Sequence, residues 1–147
     1  MTMRHLRAFS LVEVTIAMGV VAISVLTLFA LIPIGLKSNQ NSISQTAAVD
    51  ILTAVLADMR ATPRASATST QFGVTFGAPI ILYFDSEGAP SASPTATSRY
   101  RVSITFPPRA AGSRSATLSH IRVSWPARAT AANSLGQCEM FAAFDRG

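Results

Sequence analysis

Between Val14 and Leu36 the chain reads "VTIAMGVVAISVLTLFALIPIGL", a run without one charged side chain. About 20 consecutive apolar residues suffice to cross the hydrocarbon core of a bilayer as a helix. A helix that is apolar on every side must be covered by lipid or by protein. The run begins one residue after Glu13 and stops at Lys37. Glu13 is therefore the anomaly, because a bilayer penalises ionisable groups and those that occur there are functional candidates by default. One reading makes it an interfacial carboxylate in an ordinary single-pass anchor. Along a helix it lies only about 6 Å beyond Phe9, near enough to the surface to stay wet.

The flanks define the segment further. Arg4 and Arg7 precede the run, and only Lys37 follows it closely. A secretory signal has an apolar stretch of about 7–15 residues and then a small-residue cleavage site. Phe9 to Leu36 is much longer, and no Ala-x-Ala sequence follows it closely. The excess of positive charge on the N-terminal side predicts a cytoplasmic N-terminus and an exported body.

The stretch Ala8-Phe9-Ser10-Leu11-Val12-Glu13 resembles the processing site of type IV prepilins and type II secretion pseudopilins. In that family a short basic leader ends in a small residue, followed by Phe, three mostly apolar residues and Glu. The resemblance implies that a prepilin peptidase cuts between Ala8 and Phe9 and methylates the new amine of Phe9. Ala8 stands where the family usually has Gly. Glu13 then becomes the fifth residue of the mature chain and the assembly residue. A carboxylate on one subunit and a free amine on its neighbour are each costly in an apolar phase, and they are matched when paired. Such a pair would set the axial stagger of packed helices, as one buried polar residue sets register in a coiled coil. Ala17, Gly19, Ala22 and Ser24 are small enough for close helix approach. Pro33 and Gly35 either loosen the helix or reflect the usual tolerance of these residues at span ends.

Beyond Lys37 the apolar residues Ile43, Ala47, Ile51, Val55 and Met59 recur every four positions, and Ala48, Leu52 and Leu56 widen the stripe. This predicts an amphipathic helix that covers a sheet and ends before Pro63. One helix from Phe9 to Ala61 would be about 80 Å long. Strands are expected at "QFGVTF" (71–76), "PIILYF" (79–84), "RYRVSITF" (99–106) and "LSHIRVSW" (118–125). A turn is expected at 85–88 and a low-complexity loop at 88–98, while "CEMFAAF" (138–144) suits a strand or a helix equally. Tyr100 and Trp125 are expected under the helix.

The fold expected is α+β: a long N-terminal helix packed on a small antiparallel sheet, pilin-like in element order. The expected organisation is a leader at 1–8, a transmembrane and assembly helix at 9–36, an amphipathic continuation at 37–62 and a β-rich extracytoplasmic domain at 63–147. Within the family, the body with "YFDSEG", "YRVSITF" and "IRVSWP" most resembles short minor pilin-like cassette proteins of the verrucomicrobial lineage.

No enzymatic chemistry is expected. There is no zinc-spaced Cys/His cluster, no glycine-rich phosphate loop and no Gly-x-Ser-x-Gly elbow, so catalytic, cofactor and metal residues are none. Asp85 and Glu87 read as turn residues, His120 as a solvated strand residue and the single Cys138 as a small apolar side chain. The formal charge is +5, but the arginines are scattered. They read as solvated surface, and nucleic acid is not an expected partner. The expected function is that of a minor pilin or pseudopilin. Such a subunit is processed by prepilin peptidase, sits singly in the inner membrane and assembles with other pilin subunits into a pilus or pseudopilus. The alternative is an uncut single-pass anchor carrying an exported binding domain.

Overall fold

The computed structural model describes residues 10–108 and 116–146. Two compact units divide the chain, Met1–Gln40 and Asn41–Gly147. One helix, α1 (Leu11–Ala61), contributes to both. Among the described residues five strands follow: β1 (Ile80–Phe84), β2 (Pro90–Ser91), β3 (Tyr100–Thr105), β4 (Thr117–Trp125) and β5 (Gly136–Phe144). They form one antiparallel sheet in the order β2-β1-β3-β4-β5. The class is α+β, with a long apolar N-terminal helix and a small antiparallel sheet.

In the first unit every described side chain is exposed, and the most apolar stretch of α1 has no buried residue. This stretch is long and apolar enough to cross a membrane. Its hydroxyls are turned back onto the helix itself. Thr15 Oγ1 donates to the Val12 carbonyl at 2.8 Å, Ser24 Oγ to Val20 at 2.8 Å and Thr27 Oγ1 to Ser24 at 2.7 Å. Each donor is thereby satisfied without water, which an apolar environment requires. The helix continues through Pro33 and Gly35.

In the second unit α1 lays Ala48, Ile51, Leu52, Val55, Leu56 and Met59 against the sheet. The sheet answers with Leu82, Phe84, Tyr100, Val102, Ile104, Ile121, Val123 and Trp125, all buried. Strand alternation sends these residues to one face because successive side chains point to opposite sides. A fully buried Val or Phe contributes about 1.5–3 kcal/mol relative to exposure, so this shared interior is what holds the helix on the sheet. Trp125 meets Tyr100 edge-on, with ring centroids 6.2 Å apart. Ile43, expected on the covered stripe, is 59% exposed, and Ser44 is buried beside it. The covered face begins only at Ser44, where Arg99 Nη2 donates to the serine hydroxyl at 3.3 Å.

Residues 71–76 do not form a strand of the sheet. Gly73 adopts φ +64° and Gly77 φ +90°, left-handed conformations that interrupt an extended run. The segment pairs instead with its own predecessor. Ser69 N–H donates to the Val74 carbonyl at 2.9 Å, Phe76 N–H to Ala67 at 3.0 Å, and Thr68 bridges Thr75. Phe72 and Val74 remain buried because this small loop closes one edge of the core. The low-complexity stretch contains β2, and its hydroxyls pin it locally. Thr95 N–H donates to Ser98 Oγ at 2.9 Å, and Ser91 Oγ to the Ser93 carbonyl at 2.8 Å. Residues 138–144 are strand, within β5.

The start of β5 is shaped by a close approach. A methyl group on Gly136 would overlap the six-membered ring of Trp125, its cross-strand partner. The ring is itself buried and cannot retreat. Gly136→Ala is therefore expected to destabilise the domain by about 1–3 kcal/mol, the usual cost of overpacking. Thermal unfolding of the two chains compares them directly. An unchanged melting temperature would mean that the indole repacks freely.

Candidate functional site

Ala8 and Phe9, expected at the processing site, lie outside the described residues. Glu13 lies in the first turn of α1. Ser10 precedes the helix in non-helical conformation, and its carbonyl accepts the Val14 N–H at 3.2 Å. Ser10 is thus the N-cap residue and Glu13 the third helical residue. Read only for processing, Ser10-Leu11-Val12-Glu13 hides this second signal. Ser-x-x-Glu is the spacing of a capping box, in which the glutamate serves the unpaired N–H groups of the first turn. A carboxylate there also faces the positive end of the helix dipole. Glu13 consequently has a local reason to be at this position, whatever else it contacts.

From Glu13 the same helix face continues through Ala17, Val21, Val25 and Phe29 at intervals of four. Val21, Val25 and Phe29 are 60%, 44% and 64% exposed. One carboxylate therefore heads an uncovered apolar face. No ion pair among the described residues involves Glu13.

The sheet unit places its titratable groups differently. His120 Nε2 lies 3.0 Å from Glu139 Oε2, and Arg122 Nε donates to the same oxygen at 3.1 Å. The His120 ring stacks on Phe141, centroids 4.5 Å apart and nearly parallel. Hydrogen bonds first from His120 and then from Arg122 hold the Glu139 carboxyl below its usual range. His120 is therefore a paired residue fastening β4 to β5 rather than a freely solvated one. Cys138 is half-buried against the core, and burial pushes its thiol up. Asp85 accepts the N–H groups of Glu87 and Ala89, both at 2.9 Å, and Gly88 takes φ +84° to close that turn. Among the described residues no three His, Cys, Asp or Glu side chains gather as a metal site.

Several arginines, expected as solvated surface, prove to be fasteners. Arg146 donates to the carbonyls of Thr62, Pro63 and Ser66 and lies 3.8 Å over the Phe76 ring. Arg64 pairs with Asp145. Their guanidinium groups tie the residues just after β5 to the segment that follows α1. Periodicity could not reveal this, because the partners are some 80 residues apart in sequence.

No protein-family model matches this chain, and no curated protein and no solved structure is found similar to it.

Proposed function

We propose that this chain is a pilin-like structural subunit, a minor pilin or pseudopilin, that is cut between Ala8 and Phe9 and assembles through α1. The observation that carries this reading is Glu13. It stands in the first helical turn, just after the Ala8-Phe9-Ser10-Leu11-Val12 sequence, at the head of an apolar face that the chain itself leaves uncovered. Cutting frees an ammonium at Phe9. In a bundle of staggered helices, that ammonium on one subunit meets Glu13 of the next. Apolar burial drives the packing, and the ion pair selects one stagger. The N-terminus starts on the cytoplasmic side of the inner membrane, with the sheet domain on the far side. Prepilin peptidase and other pilin subunits are the partners.

A second reading draws on the capping position of Glu13. There the carboxylate only completes the first turn of an uncut single-pass anchor, and the sheet domain is an exported binding module. The N-terminal peptide separates the two. The mature protein from membranes is expected to begin at Phe9 with a methylated amine, and Ala8→Trp is expected to retain the leader. A native protein beginning at Met1 would leave only the anchor.

A further inference from the structure

On the outer face of the sheet, opposite α1, a row of paired residues runs Ser91, Tyr83, Arg101, Ser124 and Gln137 across all five strands. At Arg101 this row borders a recess of about 370 Å³ lined by Tyr83, Pro94, Arg101, Ala127 and Arg128. Two arginines, Arg101 and Arg128, therefore line one concavity. None of the ion pairs among the described residues includes either of them. The neighbouring carboxylate on this face, Glu139, is already engaged by Arg122 and His120. Arg101 is also anchored badly by ordinary standards, since its Nε–H is buried with no acceptor. An unmet buried donor costs about 1–3 kcal/mol, and more when the group is charged. Folded proteins seldom leave such a donor orphaned without a reason.

We propose that this recess is an oxyanion-binding site, taking a carboxylate or phosphate carried on a small organic group. A guanidinium edge presents Nε–H and an Nη–H in parallel, the geometry that one carboxylate or phosphate accepts in a bidentate pair. A ligand reaches the buried Nε–H only if Arg101 turns this edge toward the recess, and the bound oxyanion then supplies the missing acceptor. Arg128, exposed on the segment after β4, supplies the second charge. The volume exceeds what one oxyanion needs, since a water occupies about 30 Å³ of liquid. Tyr83 and Pro94 provide the surface for the rest of the ligand. The site is independent of cutting at Ala8 and of assembly through α1.

The test is an NMR titration of the full chain in detergent, observing the arginine side-chain N–H signals at constant ionic strength. Inorganic phosphate and succinate are the two probes, with sodium chloride as the control. The Arg101 Nε–H signal is expected to shift saturably with at least one probe and not with chloride. Saturation by phosphate alone identifies a phosphate site, and by succinate alone a carboxylate site. Arg128→Gln is expected to weaken binding about tenfold, the loss of one charge-assisted contact. This exposed residue can be changed without disturbing the core, so its effect does not depend on the fold of an Arg101 variant. No saturable shift with either probe, or shifts equal in the wild type and Arg128→Gln, overturns the proposal.

Discussion

Glu13→Leu is expected to insert into membranes as the wild type does and to be almost absent from filaments. The substitution makes the span more apolar, so insertion has no reason to suffer. In the proposed assembly, the Phe9 amine of the neighbouring subunit loses its carboxylate partner. An ammonium left unpaired in an apolar bundle costs about 3–5 kcal/mol. At about 1.4 kcal/mol per tenfold, that is at least a hundredfold in incorporation. Glu13→Gln sharpens the result. Gln preserves the third position of a capping box but carries no charge. If Glu13 acts only on its own helix, Gln behaves as wild type. If it pairs with an amine, Gln fails nearly as badly as Leu. The readout is the amount of each variant in sheared filaments relative to membranes, and normal incorporation of both variants would remove the pairing mechanism.

Asp58→Ala is expected to cost the sheet domain roughly 3 kcal/mol, because it removes the acceptor of several loop donors at once, those of the buried Ser69 and Phe72 among them. Asp58 lies one turn from the end of α1, where a carboxylate faces the unfavourable negative end of the helix dipole. The loop that closes the core compensates. Gln71 N–H donates to Oδ1 and Phe72 N–H to Oδ2, each at 3.0 Å, with Ser69 and Thr70 assisting. Burial raises the pKa of this carboxyl, but the hydrogen bonds outweigh it and hold it below its ordinary 3.8. A depressed carboxylate pKa stabilises the fold fully above the unfolded value. That stability shrinks below about 3.8 and is gone once the pH passes the folded value. Wild-type stability should therefore fall in this acid range, and Asp58→Asn should flatten that part of the profile. Thermal unfolding across pH 2–5 (about the window set by linkage) provides the measurement. If Asp58→Ala melts with the wild type at neutral pH, the carboxylate does not anchor the loop.

These two acids show how differently sequence speaks about local and distant partners. Glu13 stood out because its neighbours in sequence are apolar, and that contrast needs no structure. Asp58 carries no such contrast. It sits in the amphipathic half of α1, where a charged side chain is ordinary, and its partners are residues 69–72, beyond the helix end. The segment 71–76 departs from its sequence pattern for a related reason. "QFGVTF" alternates like a strand, but Gly73 and Gly77 take left-handed conformations, and the segment pairs with residues 67–69 rather than with the sheet. Alternation records which side chains go inward, and Phe72 and Val74 do go inward. It does not say what the backbone pairs with. β3 and β4 were legible because β-branched and aromatic residues alternate in them without an intervening glycine.

By itself, the sequence determined the uncharged helix with Glu13 at its head, the amphipathic stripe ending before Pro63, and the alternation of the central strands. All of these follow from neighbours a few residues apart, within reach of helix or strand periodicity. Only the tertiary structure decided the strand order, the fastening of the residues after β5 to those after α1 by Arg64 and Arg146, the anchoring of the loop by Asp58, and the placing of Arg101 and Arg128 on one recess. Each of these joins groups that the chain brings together only after the apolar faces have closed, because a hydrogen bond or an ion pair depends on distance in space and not on spacing in sequence.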